Sequence, residues 1–202
     1  MNSKKTIVVA TGNPNKAIEL KDMLNGEYAV KTMKEMGIDV DIVEDGVTFE
    51  ENALIKVRAI ALFLKGQDVI IMADDSGLSV DALDGAPGIY SARYAGEHVT
   101  YADNNAKLLA AMKDVPDGRR GAEFVCAVAL ILPDGSEWTG RGTVRGTIAH
   151  EFLGEQGFGY DPLFIVNGLG KSYAQIGEEQ KNQISHRSKA VALAKKKLDS
   201  LG

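Results

Sequence analysis

The stretch IMADDSGLSV, Ile71 to Val80, decides how this chain is read. Val69 to Ala73 is an apolar run of strand length. It meets two adjacent acids, Asp74 and Asp75, with Ser76 and Gly77 directly behind them. Successive side chains on a strand point to opposite faces, so two neighbouring acids there do not share one role. Asp-Asp-Ser-Gly has the chemistry of an Asx-type turn. It also suits a cation site, because α/β folds collect their ligands at the carboxyl ends of strands and Mg²⁺ takes few carboxylates together with water and phosphate oxygens. Taken alone, the stretch satisfies both readings.

Working outward, Thr6 to Ala10 reads as a buried strand, followed by the turn Thr11-Gly12-Asn13-Pro14 and a helix from Asn15 to about Asn25 with Ala17, Leu20 and Leu24 on its apolar face. A second strand lies near Tyr28 to Met33. Thr48 with Glu51 three residues on is a capping-box pattern opening a helix. Leu54, Val57, Ala61 and Leu64 recur along it, and Gly66 ends it. Beyond the acids, Gly77 to Gly96 reads as an extended loop with short strands. Thr100 and Asp103 open a helix that turns Leu108, Leu109 and Met112 inward. Glu123 to Leu132 is an apolar strand, turned by Pro133-Asp134-Gly135 into a polar strand after Ser136, with a third piece at Thr143 to Ala149. A glycine-bearing loop, Gly157 to Pro162, precedes a closing helix from about Gln183 to Leu201. Helices alternating with strands, then strands in series, predict an α/β fold with a mixed sheet and helices on its faces. Without internal repeats or low-complexity linkers, residues 1–202 read as a single domain.

The 202 residues carry 45% apolar and 25% charged side chains, ordinary for a globular chain. The 22 glycines exceed the roughly 14 that average usage gives, which points to tight turns and close backbone approach. A net charge of −5 repels polyanions, so a nucleic-acid polymer is not the expected partner, whereas a small phosphorylated ligand held by a few local cations is compatible. Cys126 is the only cysteine, which excludes an internal disulfide and a cysteine-based zinc site. Met1 to Lys5 lead straight into a strand, and no apolar span of ~20 residues occurs. The expectation is a soluble cytoplasmic protein without membrane contact.

Four further segments could carry chemistry. Thr11-Gly12-Asn13-Pro14-Asn15-Lys16 joins a strand to a helix, so free N–H groups, the helix dipole and Lys16 favour a polyphosphate. It lacks the spaced glycines of a Walker A loop, and alone it reads as a capped turn. In VEDGVTFEENALIKVRA, Glu44 and Lys56 alone read as surface charges. In GFGYDP, Phe158 can present a flat face to a base and Asp161 can accept hydrogen bonds from ring N–H groups. In EEQKNQISHRSKA, a continuous helix places Lys181, Ser185 and Lys189 along one side with His186 beside them. Cations at a helix start oppose the dipole unless an anion compensates. His98 and His150 form no metal-ligand spacing with His186.

In order along the chain, TGNPNK, FEENALIK, ADDSGL, GAPGIYSARYAG, GFGYDPLF and ISHR resemble the inosine triphosphate pyrophosphatase family, whose bacterial members are XTP/dITP diphosphatases. The likeness runs from Thr6 to about Ala192. It implies a long mixed sheet flanked by helices, in two lobes with the active-site cleft between them, and a homodimer. It implies that Thr11, Gly12, Asn13, Pro14, Asn15 and Lys16 hold the nucleotide, with Asn13, Lys16 and Lys56 at the phosphates. Glu44 and Asp75 would hold Mg²⁺. Because Asp45 follows Glu44, either acid could be the one that reaches the metal. Asp75 would also be the proton acceptor and Ser76 a substrate contact. Phe158, Gly159, Tyr160, Asp161 and Lys181 would line the base pocket, and His186 with Arg187 would read the oxo edge of the purine.

The implied reaction is hydrolysis of the noncanonical purine nucleoside triphosphates XTP, dITP and ITP to the nucleoside monophosphate and pyrophosphate, which clears deaminated purines from the nucleotide pool. Asp75 takes a proton from the attacking water, and pyrophosphate leaves among the cations.

Overall fold

The computed structural model describes residues 4–24 and 26–200. Within them β1 (Thr6–Val9), β2 (Ala29–Thr32), β3 (Val69–Val80), β4 (Gly121–Ile131), β5 (Glu137–Ile148) and β6 (Phe164–Val166) form one six-stranded sheet in the order β2-β1-β3-β4-β5-β6. β1 runs parallel to both β2 and β3, and β5 runs antiparallel to β6, so the sheet is mixed as expected. The helices are α1 (Pro14–Leu24), α2 (Phe49–Ala61), α3 (Tyr101–Ala111), α4 (Tyr173–Ile176), α5 (Glu178–Ile184) and α6 (His186–Asp199).

The strand predicted to stop at Ala73 does not stop there. β3 continues through Asp74, Asp75, Ser76 and Gly77 to Val80, which removes the turn reading of Asp-Asp-Ser-Gly. The acids still occupy a carboxyl edge, because the parallel register with β1 runs only from Thr6↔Val69 to Val9↔Met72. They lie just beyond the end of the parallel ladder, inside a strand that goes on.

The pleat then separates them. Ile70 and Met72 belong to a core with Leu20 and Leu24 of α1 and Val191 and Leu198 of α6. Ile71 and Ala73 belong to a second core with Ala53, Val57 and Ile60 of α2. Alternation carries Asp74 onto the first of these faces and Asp75 onto the second. Each fully buried Leu, Ile or Val in these layers contributes about 1.5–3 kcal/mol, which secures the register.

Other boundaries differ from expectation. The pieces after Ser136 and from Thr143 are one strand, β5. Glycines sit within it where a neighbour comes close: a Cβ at Gly140 would run into the Trp138 indole, and one at Gly146 would meet the Ile165 carbonyl and the Phe164 ring. β6 was not foreseen. α2 ends at Ala61, before Gly66, and the Glu51 carboxylate accepts the Val47 N–H at 2.7 Å while Thr48 caps the Glu51 N–H. Thr100 and Asp103 form the expected capping box of α3. The closing helix is interrupted: Ser185 is extended (φ −69°, ψ 162°) between α5 and α6. The expected helix ends at Asn25 and Leu201 lie outside the described residues. No helix among the described residues is long and apolar enough to cross a membrane.

The chain divides into two compact units. The first comprises the described residues of Met1–Asp75, Cys126–Gly142 and Ser188–Gly202; the second is Ser76–Val125 with Thr143–Arg187. The first contains the two cores just described. The second is built on Leu78, Leu108, Phe124, Leu163, Phe164 and Tyr173. It also buries Arg120, 3% exposed, whose guanidinium donates to the carbonyls of Met112 (2.7 Å), Val115 (3.0 Å), Ile148 (2.7 Å) and Ala149 (2.9 Å). Burial pulls the pKa of Arg120 down, with the Asp117 carboxylate acting in the opposite direction.

Candidate active site

In the first unit the chemistry gathers on Asp75, 7% exposed. Asn52 and Lys56 lie four residues apart on the buried face of α2, so both side chains reach the same place. The Lys56 ammonium donates to Asp75 Oδ1 at 3.2 Å and to Glu44 Oε2 at 2.9 Å. Asn52 Nδ2 donates to Asp75 Oδ2 at 3.2 Å. Burial alone would lower the pKa of Lys56, but the carboxylates of Asp75, Glu44 and Asp74 outweigh it and hold the ammonium above its ordinary value. Glu44 is therefore the acid that joins Asp75, while its neighbour Asp45 is exposed.

Asp74, 1% exposed, has a separate setting on the other face of β3. Its Oδ2 lies 3.3 Å from the Lys16 ammonium and 3.9 Å from Cys126 Sγ. Lys16 is placed there by the start of α1, where the Asn13 side chain accepts the N–H groups of Asn15 (3.0 Å) and Lys16 (3.4 Å) and Pro14 occupies the first helical position. Thr11 Oγ1 accepts the Asn13 N–H at 3.1 Å. Thr11, Asn13 and Asn15 are half-buried, and Gly12 and Pro14 are exposed.

In the second unit the organising residue is Lys181, 2% exposed. Its ammonium donates to Asp161 Oδ2 at 2.6 Å, and lies 4.4 Å from the centre of the Phe158 ring and 5.7 Å from that of Tyr173. Asp161 Oδ2 also accepts the Phe158 N–H at 2.9 Å, closing the loop onto itself. Gly157, at φ 79°, permits this, since a Cβ there would strike the Asp161 carboxylate. Gly159 is half-buried, and its carbonyl accepts Asn105 Nδ2 at 2.8 Å. The buried Tyr160 packs in the core and donates its hydroxyl to the Ser91 carbonyl at 2.8 Å, and burial pushes its pKa up.

The cations predicted to line one helix are rearranged by the break at Ser185. Lys181 is on α5, while His186 and Arg187 open α6 and Lys189 is exposed. The His186 ring stacks on Phe124 with 4.6 Å between centres and 8° between planes. Arg187, 1% exposed, donates from Nη2 to Ser76 Oγ at 2.8 Å and sits 5.8 Å from the Phe158 ring centre. The second unit thus brings together Ser76, Phe158, Asp161, Lys181, His186 and Arg187 through this chain of contacts.

Sequence reading did not single out Asn52, Tyr173 or Asn105. The spacing of Asn52 four residues before Lys56 could have found it; Tyr173 and Asn105 carry no local signal. Chemically, the first set offers two carboxylate oxygen donors already sharing a cation, a hard-oxygen arrangement that fits Mg²⁺. The second offers buried cations against an aromatic face, which fits a flat ring bearing oxo acceptors.

The model of the Ham1 family matches residues 7–197. The dITP/XTP pyrophosphatase of Clostridium perfringens is 44% identical over 98% of both chains, and that of Bacillus subtilis is 44% identical over 97% of this chain and 98% of its own. Among solved structures, the Ham1 protein of Staphylococcus aureus superposes with a TM-score of 0.86 at 44% identity, covering 98% of this chain and all 100% of its own. A dITP/XTP pyrophosphatase from Mycobacterium abscessus gives a TM-score of 0.73 at 42% identity, covering 94% of this chain and 98% of its own. With residues 7–197 matched by the family model and relatives 44% identical over nearly the whole chain, the chain belongs to the Ham1 family.

Proposed function

We propose that this chain hydrolyses noncanonical purine nucleoside triphosphates, XTP, dITP and ITP, to the monophosphate and pyrophosphate. Its relatives named dITP/XTP pyrophosphatase support the reaction class. The observation that carries the proposal within this chain is the Lys56 ammonium shared by Glu44 and Asp75, a carboxylate pair that already assembles a cation.

Glu44 and Asp75 would hold Mg²⁺, which when bound supplies positive charge to the triphosphate and to departing pyrophosphate. The turn Thr11 to Lys16 presents N–H groups and an ammonium, and Lys56 a second, so both lysines bind phosphate oxygens. Asp75 accepts the proton of the attacking water, its oxygens held in place by Lys56 and Asn52. Lys181, His186 and Arg187 meet the base with donors. A 6-oxo group accepts from them, whereas a 6-amino group brings another donor and leaves buried polar groups without acceptors. Such a mismatch is worth ~10⁴-fold in selectivity. Phe158 offers the ring a face, and Asp161 serves by fixing Lys181 and the Phe158 backbone.

By the same family likeness, the working form is a cytoplasmic homodimer whose single catalytic domain spans residues 1–202. A net charge of −5 supports a small nucleotide, not a nucleic-acid polymer, as its partner.

The test is a panel of XTP, dITP, ITP, ATP, GTP and dUTP with Mg²⁺, with phosphate and pyrophosphate detected separately. Pyrophosphate released from the 6-oxo purines far above ATP is expected. Tight binding without pyrophosphate release, or a preference for dUTP, overturns the proposal.

A further inference from the structure

Asn52 is 1% exposed, and both ends of its amide are committed. Oδ1 accepts the Gly46 N–H at 2.9 Å, and Nδ2 donates to Asp75 Oδ2 at 3.2 Å. Gly46 lies two residues after Glu44 in the stretch that precedes α2, and Glu44 returns to Asp75 through Lys56. The result is a closed ring: Asn52 to Gly46, along the backbone to Glu44, across Lys56 to Asp75, and back to Asn52. The approach at Gly46 leaves no room for a side chain. A Cβ there would lie 2.7 Å from Asn52 Oδ1 and 2.8 Å from Glu51 Cβ. An amide can accept from a backbone N–H at one end while donating to a carboxylate at the other. Leucine has the right size with neither function, and aspartate cannot donate.

From this ring we infer that Asn52 is the positioning residue that ties the Glu44-bearing segment to Asp75 and so fixes the spacing of the two carboxylates toward a divalent cation. Glu44 is carried by a stretch without helix or strand, which packs Val40 and Ile42 on the core and sends the Val47 N–H to Glu51; its own carboxylate meets Asp75 through the long stem of Lys56, and Asn52 is the link from its backbone to Asp75 itself. Groups that orient metal ligands without touching the metal typically account for about 10- to 100-fold in affinity. This inference rests on the assignment of Glu44 and Asp75 as metal ligands.

The test uses Mn²⁺ as the probe, with free ion measured by electron paramagnetic resonance on the full-length protein without nucleotide. Folding is checked by circular dichroism. Asn52→Leu and Gly46→Ala cut the tie from opposite ends. Each is expected to weaken Mn²⁺ binding by about 10- to 100-fold and to raise the Mg²⁺ concentration needed for half-maximal turnover by a similar factor. The double variant is expected to be no weaker than the weaker single one, because both break one link. Unchanged Mn²⁺ affinity in a folded single variant, or losses that multiply in the double variant, overturns the inference. Gly46→Ala decides alone if Asn52→Leu does not fold. Wild-type protein that binds no Mn²⁺ overturns the ligand assignment and the inference together, whereas wild-type binding matched by the variants overturns only the inference.

Discussion

The two units handle buried charge in opposite ways. In the first, carboxylates outnumber cations: Glu44, Asp74 and Asp75 face Lys16 and Lys56. In the second, Lys181 meets Asp161, Arg187 donates to the neutral Ser76 hydroxyl, and the ammonium and the guanidinium both lie near the Phe158 ring. Burying an ion costs several kcal/mol unless it is compensated. An excess of carboxylate therefore calls for an added cation, and an excess of cation beside an aromatic face calls for a flat acceptor. The first imbalance suits a divalent cation, the second a flat ring bearing acceptors.

The largest effect expected from breaking this contrast is on Asp75. Asp75→Asn removes the proton acceptor and one metal ligand, so kcat falls by at least ~10³-fold. Glu44 still neutralises Lys56, so circular dichroism and Tm stay near wild type. Near-normal turnover would mean that the base is another group.

Lys181→Met should strike selectivity and stability together. Losing the ammonium beside the buried Asp161 is expected to cost about 3 kcal/mol in urea unfolding. The ratio of kcat/KM for ITP over ATP should fall by about 10²-fold or more. Adding Asp161→Asn restores much of the stability without restoring the ratio, which separates the structural from the recognition role.

Arg120 sharpens the comparison from inside the second unit. Its guanidinium is buried like that of Arg187, yet it is spent on backbone carbonyls. Arg120→Met takes the guanidinium from these buried carbonyls, of which Met112 keeps the Val115 N–H, and should cost about 2–4 kcal/mol of stability, with kcat/KM per folded molecule unchanged. A selective loss of activity would instead place Arg120 in the reaction.

The smallest effect belongs to an exposed pair. Hydrogen bonds from Lys21 and the Thr32 backbone hold the Glu35 carboxyl down at about 2. A carboxyl lowered on folding stabilises the fold above its unfolded pKa, about 4.3, and loses that contribution as pH falls through about 2. Glu35→Gln should therefore lower Tm slightly at pH 6 and not at pH 2, as read by thermal melts at both pH values.

How far the fold was legible depended on whether each signal was local. The capping of α3 by Thr100 and Asp103, the Asn13-Pro14 start of α1 and the mixed sheet were all written in short patterns. The full length of β3 was not, because two adjacent acids look like an end. Within the strand they are met on opposite faces by Lys16 and Lys56, which come from two different helices. The break at Ser185 carries no proline or glycine signal. The continuity of β5 depends on the Trp138 indole and the Phe164 ring lying over its glycines. Motif resemblance supplied the residues of the candidate site. Pairing supplied what resemblance did not, namely that Lys16 goes to Asp74, Lys56 to Asp75 and Glu44, and Asp161 to Lys181.

The segmented make-up of the units has a bearing on synthesis. The core that Leu20, Leu24, Ile70 and Met72 share is completed by Ala190, Val191, Ala194 and Leu198 of α6, the last described element of the chain. A ribosome delivers residues in order at about 5–20 per second and hides those still in its tunnel. The strand that carries Asp75 therefore emerges well before the helix that seals the core beneath it. Until α6 emerges, the nascent chain exposes an apolar face of the sheet. The first unit can close only once α6 has emerged, which makes the chain up to that point a natural client for chaperones that shield such surfaces.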